Sequence, residues 1–202
     1  LNEGDAITPE IAAAARGLAR GNHFPINTAV IDALPNLEII ANFGVGYDGI
    51  DLKTAAARGI VVTNTPDVLT EEVADTTLGL LLMTVRELDK AQDHLRAGKW
   101  PKEGTYPLSK ATMRDRTVGI AGLGRIGIAI ARRLEAMLVP VVYHNRSKRD
   151  DVPYKYYADI HEMARDVDTI VSVLPGGEAT RGTIDAAVFK ALGPRGVFVN
   201  IG

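Results

Sequence analysis

Residues 117–147 read TVGIAGLGRIGIAIARRLEAMLVPVVYHNRS, and this stretch decides the fold of the chain. A strand-like run at Thr117–Ala121 leads into a glycine pattern at Gly122–Gly127, then an amphipathic helix, then a second strand-like run. This order is typical of a βαβ unit that binds a dinucleotide: the first glycine permits a tight turn, the second admits a pyrophosphate, and the third lets helix pack on strand. The helix N-terminus attracts phosphate. We therefore predict dinucleotide binding, with a ligand-free glycine turn as the alternative.

The residues that follow the second strand indicate which dinucleotide is bound. NAD-specific folds place an Asp or Glu about 20 residues beyond the glycines, where it binds ribose hydroxyls. Here residues 144–149 read HNRSKR, with no acid before Asp150. Arg146 can pair with a 2′-phosphate, and Asn145 and Ser147 can donate hydrogen bonds to it. This pattern predicts that NADP(H) is preferred and that NAD(H) is possible; the alternative is a solvated basic turn.

The composition excludes several classes of protein. The chain has 202 residues, 46% hydrophobic and 24% charged, with a net charge of −2, which is typical of a soluble globular protein. This balance offers no basic patch for nucleic acid, and the apolar run Leu78–Met83 is too short to span a bilayer. The absence of cysteine excludes disulfides and thiolate metal sites. We expect a cytoplasmic protein with no metal and with neither nucleic acid nor membrane as a partner.

Strand-like apolar runs alternate with helix-like segments along the chain, which predicts a parallel α/β fold. Each predicted strand is a short β-rich run, and each of the last three strands is preceded by an amphipathic helix. The predicted strands are 38–42, 60–63, 117–121, 139–143, 169–174 and 197–201, and the predicted helices between the later strands are 126–137, 160–166 and 184–192.

Two units are expected, with a boundary after residue 91. Residues 72–97 are typical of one long helix that Thr70 caps, and residues 98–110 contain prolines and glycines typical of a loop. The predicted domains are therefore 1–91 and 92–202. The chain begins with Leu1 and ends at Gly202 directly after a strand, so both domains are expected to be incomplete.

The first unit has its own glycine-containing segment, FGVGYDGID at residues 43–51, between a strand and a short helix. Gly44 and Gly46 would free the N–H groups of Val45 and Gly46 to point at a small anion. A turn that merely connects strand to helix is the alternative.

Taken together, these segments resemble the D-isomer-specific 2-hydroxyacid dehydrogenases, and within them the NADPH-preferring glyoxylate/hydroxypyruvate reductase branch. The resemblance covers residues 28–202 and implies a two-domain enzyme. A flavodoxin-like substrate domain would occupy residues 1–91 and a Rossmann domain residues 92–202, with a homodimer formed partly through the long helix. The matching stretches are FGVGYDGID (43–51), VVTNTPDVLTEEVADTTLGLLL (61–82), RAGKW (96–100), TVGIAGLGRIGIAIARRL (117–134) and VLPGGEATRGTIDAAVFKALGPRGVFVN (173–200).

The resemblance also implies a role for individual residues. The N–H groups of Val45 and Gly46 would hold the substrate carboxylate, and Leu69 would line the substrate cleft. The cofactor would be held around the glycines Gly122 and Gly127. Its contacts would be Leu123, Gly124, Arg125 and Ile126 for the pyrophosphate, Asn145, Arg146 and Ser147 for the 2′-phosphate, Leu174, Pro175 and Thr180 for the adenosine and ribose side, and Ile201 near the nicotinamide.

The implied reaction is the NADPH-dependent reduction of a small 2-oxo acid to the D-2-hydroxy acid. The family uses an Arg that follows the segment beginning Val199-Asn200, and a Glu and a His further along. The Arg binds the substrate, the His protonates the carbonyl oxygen, and the Glu keeps the His protonated. All three are expected beyond Gly202, so no catalytic residue is predicted here and the chain alone is expected to be inactive. The histidines present do not occupy that position; they are His23, His94, His144 and His161.

Three other functions use related folds. A nucleotide-sensing, co-repressor-like protein would bind NAD(H) and partner proteins, but the basic turn at residues 144–149 argues mildly against it. A formate- or phosphite-type dehydrogenase would prefer NAD, so cofactor preference separates it from the reductase. A flavoprotein usually carries its glycine pattern near the N-terminus, whereas here that pattern begins at Gly122.

Overall fold

The computed structural model describes residues 7–21, 24–109 and 111–202; His23 and Lys110 lie outside these ranges. The chain divides into two compact units, residues 1–68 and residues 69–202. Each unit contains its own parallel β-sheet with helices packed against it. The predicted α/β class, with a Rossmann unit following a smaller parallel-sheet unit, is confirmed.

The first unit contains a three-stranded sheet in the order β1-β2-β3. Its core is an aliphatic cluster that includes Ile26, Ile31 and Ile40. Side chains of Thr8, Asn27 and Asp51 cap its helices by accepting backbone N–H bonds. In chain order the elements are α1 (Pro9–Ala14), β1 (Gly17–Gly21), α2 (Thr28–Asp32), β2 (Ile39–Phe43), α3 (Leu52–Ala57) and β3 (Val61–Thr63).

The second unit contains a five-stranded parallel sheet in the order β6-β5-β4-β7-β8. Its first strand lies in the centre; the chain then builds β5 and β6 on one side and returns to build β7 and β8 on the other. The elements are α4 (Thr70–Arg86), α5 (Leu88–Arg96), α6 (Trp100–Glu103), β4 (Val118–Ala121), α7 (Arg125–Ala136), β5 (Val141–His144), β6 (Lys155–Tyr157), α8 (Ile160–Asp166), β7 (Thr169–Ser172), α9 (Ala186–Leu192) and β8 (Val197–Asn200).

Helices cover both faces of this sheet. Helices α4 and α7 pack on one face, around Ile120 and Val171, and helices α8 and α9 pack on the other, around Ala121 and Ile170. Strands β4 and β7 are therefore buried along their whole length. Strands buried on both faces are continuous apolar runs in sequence. This explains why β4 and β7 could be recognised in the sequence. All six predicted strands are found, with their ends shifted by a few residues.

The predicted single helix at residues 72–97 is wrong, because Glu87 interrupts it. Glu87 adopts a left-handed conformation (φ 52°), and its N–H closes α4 on the carbonyls of Met83 and Thr84. The predicted cap is also displaced: Leu69, not Thr70, is the N-cap residue, and no side chain caps the helix. The short helix α6 lies within the segment that was predicted to be a loop.

The compact units divide after residue 68, whereas the predicted boundary after residue 91 falls inside α5. The reason is that α4 packs on α7 and β8 of the second sheet. Arg133 on α7 strengthens this packing, because it pairs with Asp75 at 2.6 Å and with Glu71 at 2.7 Å on α4.

Candidate functional site

The turn after β4 depends on two glycines that the protein packs against itself. Gly122 has a φ of +99°, and a Cβ there would lie 2.7 Å from the carbonyl oxygen of Val173. A Cβ on Gly127 would overlap the carbonyl oxygen of Gly122, so only glycine lets α7 approach the turn. Gly124 is different, because a Cβ there would meet nothing within 4 Å. The turn is thus closed on its protein side and open at Gly124, where a phosphate would approach.

Helix α7 begins at this open position without a side-chain cap. Gly124 is its N-cap residue, and Arg125 and Ile126 follow at the start of a 12-residue helix whose first turn has no acid. The first N–H groups of a helix have no intrahelical acceptor, and the helix dipole makes this end partly positive. The residues present therefore fit a pyrophosphate at Gly124, Arg125 and Ile126.

Leu123 takes part in the turn in a different way from its predicted role. Its side chain is buried, with 1% exposed, and its N–H donates to Asn145 Oδ1 at 2.7 Å. Because that N–H is already hydrogen-bonded, Leu123 helps to shape the turn and does not offer its N–H to a ligand. The N–H groups available to a ligand are those at the start of α7. Since an N–H can only donate, Asn145 must direct its oxygen at Leu123, which leaves its NH2 group to donate to a ligand.

Arg146 and Ser147 follow Asn145 and are exposed. Within the described residues, no hydrogen bond or ion pair engages the Arg146 guanidinium. The first acid after residues 145–147, Asp150, is also exposed, and its Oδ1 lies 4.0 Å from Lys148 Nζ. The turn therefore keeps the positive character that its sequence predicts.

Arg149 holds this basic turn against the glycine turn, a role that the sequence analysis missed. Its guanidinium donates to the Leu123 carbonyl at 3.0 Å and to both carboxylate oxygens of Asp151, with Nε 2.9 Å from Oδ1. This hydrogen bonding lowers the pKa of Asp151. The Asp151 charge is thus matched by Arg149. The basic run at residues 144–149 was the available sequence signal, but it does not distinguish Arg149 from Arg146.

Four parallel strands bring the predicted cofactor residues to one edge of the sheet. Ala121 pairs with His144 on β5 and with Ser172 on β7, and Ser172 pairs with Asn200 on β8. The order in which strands are added reverses between β4 and β7, because β5 and β6 lie on one side of β4 and β7 and β8 on the other. In open α/β sheets, ligands bind at the carboxyl ends of the strands where the strand order reverses. The residues that follow these four strand ends include Gly122, Asn145, Leu174 and Ile201.

The loop after β7 contains two further residues predicted to contact the cofactor, Pro175 and Thr180. The Thr180 hydroxyl lies 2.6 Å from the Pro175 carbonyl oxygen and 3.2 Å from that of Gly177, so its proton is used within the loop. Thr180 therefore keeps only acceptor capacity for a ligand.

The three described histidines have local partners. His144 Nδ1 lies 3.0 Å from the Tyr157 carbonyl oxygen on β6, and His94 Nε2 lies 2.8 Å from the Gly104 carbonyl oxygen. His161 lies between the carboxylates of Asp159 and Asp185, which raise its pKa.

In the first unit, the predicted anion-binding loop follows β2. Neither Gly44 nor Gly46 has a positive φ, so glycine's conformational freedom is not what shapes this loop, contrary to the prediction. The loop is held by side-chain amides: Asn42 Nδ2 donates to the carbonyls of Gly44 at 3.0 Å and Gly46 at 2.9 Å. Asn64 Nδ2 donates to the Val45 carbonyl at 2.9 Å. Leu69, the third predicted substrate residue, begins the second unit as the N-cap residue of α4.

In the described ranges 7–21, 24–109 and 111–202, no cluster of three or more His, Cys, Asp or Glu side chains is arranged to hold a metal ion. No helix there is both long and apolar enough to cross a membrane.

Comparison with known proteins identifies the family. The profile of the D-isomer specific 2-hydroxyacid dehydrogenase, NAD binding domain, matches residues 78–202. Glyoxylate/hydroxypyruvate reductase A of Arabidopsis thaliana is 47% identical over 173 residues, which is 86% of this chain and 55% of that protein. Hydroxyphenylpyruvate reductase of Plectranthus scutellarioides is 41% identical over 187 residues, which is 93% of this chain and 59% of that protein.

Among solved structures, the chain is similar to an NADPH-dependent glyoxylate/hydroxypyruvate reductase of Sinorhizobium meliloti in complex with NADP and malonate. The identity is 52% and the TM-score 0.92, covering 96% of this chain and 60% of that one. The chain thus spans 55% to 60% of the length of these three proteins. The match to the NAD-binding domain confirms the predicted class of cofactor, a nicotinamide dinucleotide. The chain belongs to the D-isomer-specific 2-hydroxyacid dehydrogenase family.

Proposed function

We propose that the protein carries out NADPH-dependent reduction of a small 2-oxo acid, of the glyoxylate or hydroxypyruvate type, to the D-2-hydroxy acid. The observation that carries the NADPH preference is the basic turn after β5, where Arg146 is exposed and the preceding Asn145 is hydrogen-bonded to Leu123 of the glycine turn. Support also comes from two of the compared proteins, which are named as glyoxylate/hydroxypyruvate reductases.

The residues of the second unit would bind and orient the cofactor, which supplies the hydride when bound. Gly124, Arg125 and Ile126 would receive the pyrophosphate at the open end of α7. The NH2 group of Asn145, the Arg146 guanidinium and the Ser147 hydroxyl would receive the 2′-phosphate, because all three can donate hydrogen bonds to it. Leu174, Pro175 and Thr180 would flank the adenosine and ribose, and Ile201 would approach the nicotinamide.

In the first unit, the N–H groups of Val45 and Gly46 would bind the substrate carboxylate. Main-chain N–H groups that face one direction in a turn form a concave site for an anion. We also propose that Leu69 contributes an apolar contact to the substrate. Together these roles bind and orient the acid that is to be reduced.

Arg146→Asp tests the cofactor preference. We expect the affinity for NADPH to fall more than about tenfold, because a charge-assisted pair worth about 1.5–3 kcal/mol is lost, while the affinity for NADH changes little. Both dissociation constants are measured by titrating the intrinsic fluorescence of the reduced cofactors. The control, Arg195→Asp, changes an exposed arginine that precedes β8 at the opposite edge of the sheet. Equal losses for NADPH and NADH in the Arg146 variant would contradict the proposal.

We also propose that the protein is a homodimer. Several large apolar side chains of α4, α5 and the segment that follows are exposed, namely Leu80, Met83, Leu88, Leu95, Trp100 and Leu108. A second copy that covered them would remove this apolar surface from water. Sedimentation velocity is expected to give a dimer that Leu95→Glu converts to monomer, whereas Leu138→Glu, a change at another exposed leucine, does not. A monomeric parent protein would contradict this proposal.

A further inference from the structure

We infer that Arg20, Asn42 and Asn64 are positioning residues for the substrate carboxylate, because they turn the N–H groups of the 44–47 loop outwards. This inference rests on the proposed function, which assigns the carboxylate to that loop. None of the three residues was singled out by the sequence analysis.

The two asparagines hold the carbonyl groups of the loop. Asn42 Nδ2 donates to the carbonyls of Gly44 and Gly46, and Asn64 Nδ2 donates to the carbonyl that lies between them, that of Val45. In a trans peptide, the N–H of the next residue points away from the carbonyl. The two asparagines therefore direct three successive N–H groups away from themselves, those of Val45, Gly46 and Tyr47. Within the described part of the chain, none of the three donates a hydrogen bond.

Arg20 fixes the orientation of the Asn42 amide. Arg20 lies on β1 with 6% of its surface exposed, and its Nη1 donates to Asn42 Oδ1 at 2.7 Å. Its Nε donates to the Phe24 carbonyl at 2.6 Å, which fixes the guanidinium. Since a guanidinium can only donate, the oxygen of Asn42 must face Arg20 and the NH2 group must face the loop. Arg20 thus determines that the loop carbonyls meet a donor.

The charge of Arg20 also favours a bound anion. Among the described residues, no carboxylate forms an ion pair with Arg20, and the acceptors of its guanidinium, the Phe24 carbonyl and Asn42 Oδ1, are neutral. The guanidinium therefore adds a positive potential behind the loop. This potential favours an anion on the outward N–H groups, although the Asn42 amide lies between them and the guanidinium. The acid nearest in sequence, Asp48, directly follows the loop and is exposed; a Cβ on Gly46 would lie 3.0 Å from its Oδ1.

Gly49 makes room for the guanidinium. A Cβ at this position would overlap Arg20 Nη2, so the backbone of residue 49 lies directly against the buried cation. A side chain at residue 49 would therefore displace this guanidinium.

The test is a titration of the chain, labelled with nitrogen-15, with glyoxylate. Binding is monitored by two-dimensional proton–nitrogen NMR. In the parent chain we expect saturable shifts of the Val45, Gly46 and Tyr47 amide signals. Asn42→Asp keeps the shape of the side chain but replaces the donor with a carboxylate, which repels the loop carbonyls. We expect it to weaken glyoxylate binding at least about tenfold.

Three comparisons separate positioning from general loss of structure. Asn36→Asp is the matched control, because Asn36 lies in the same unit and its side chain donates to Ala13 instead of the loop; it is expected to bind glyoxylate as the parent does. The NADPH affinity of every variant is expected to stay unchanged. Arg20→Gln keeps a donor for Asn42 but removes the charge, and Arg20→Lys keeps the charge, so weaker binding in the glutamine variant alone isolates the electrostatic effect.

Asn64→Ala provides a second variant should Asn42→Asp fail to fold, because Asn64 is only half-buried. We expect it to weaken glyoxylate binding about threefold to tenfold and to reduce the shift of the Gly46 signal most. If the parent chain binds glyoxylate and both asparagine variants bind it as tightly as the parent, the positioning role is overturned while the proposed function stands. If the amide signals of the parent chain do not respond, the substrate role of the loop and this inference are both overturned.

Discussion

The chain contains two glycine-bearing turns, each after a parallel strand, and they are built in opposite ways. After β4, Gly122 and Gly127 fit against backbone atoms that leave no space for a side chain. After β2, Gly44 has an ordinary backbone conformation, and the side chains of Asn42 and Asn64 hold the loop. The comparison teaches that the same glycine spacing can occur in a turn shaped by backbone packing and in a loop held by side-chain hydrogen bonds.

The two turns also differ in the origin of their positive potential. Helix α7 begins at Gly124 with no side-chain cap, so its N-terminus is available to a ligand. Helix α3, which follows the first turn, is capped by Asp51, which accepts from Thr54 N at 3.0 Å. Its end is occupied by a carboxylate of the protein itself. In the first unit the positive charge near the loop comes instead from Arg20.

The largest expected effect is a difference in stability between glycine-to-alanine changes in the two turns. Gly122→Ala should destabilise the second unit by about 2–5 kcal/mol, since it combines a strained φ with overlap against Val173. Gly44→Ala should change the stability of the first unit by less than about 1 kcal/mol, because the added Cβ would lie 3.6 Å from Asn42 Nδ2, an ordinary contact. Urea unfolding followed by Trp100 fluorescence reports on the second unit, and amide hydrogen exchange reports on the first. Equal losses would refute the comparison.

An intermediate effect is expected at Asn145, which links the glycine turn to the end of β5. Asn145→Ala removes the acceptor for the Leu123 N–H, so we expect about fivefold to tenfold weaker binding of NADH, and a somewhat larger loss for NADPH because the donor to the 2′-phosphate is removed as well. This differs from Arg146→Asp, for which NADPH alone is affected. The two cofactors are titrated side by side, and a loss restricted to NADPH would show that Asn145 acts only on the 2′-phosphate.

The smallest expected effect concerns the helix cap next to the first turn. Hydrogen bonds from Thr28 and then Thr54 lower the pKa of Asp51 from 3.8 to about 2. Because the folded pKa is the lower one, the cap contributes its full stability above pH 3.8 and loses it as the pH falls through about 2. Thr28→Ala should raise the pKa of Asp51, and Thr28→Ser should preserve it, as measured by carboxyl-carbon NMR. An unchanged pKa in Thr28→Ala would show that Thr28 is not the main cause.

Much of the second unit could be predicted from sequence, because β4 and β7 are buried along their whole length and its elements follow one another locally. The partly exposed edge strand β6 was not predicted. The first strand of the first unit was missed for a physical reason: in β1, GLARG, the buried side chain is Arg20, which breaks the apolar pattern of a strand. The break at Glu87 was also missed, because glutamate is a good helix former and nothing local marks the left-handed conformation.

The sequence by itself determined the parallel α/β class, the glycine turn and the basic turn after β5, since each depends on neighbouring residues. Only the tertiary structure decided the partners of the individual polar groups. Leu123 and Asn145 are separated by 22 positions, as are Arg20 and Asn42, and in each pair the residues follow or lie on adjacent strands. Such hydrogen bonds depend on which strands lie side by side in the sheet. Residues 22 positions apart in the sequence carry no local signal that they will be neighbours in space.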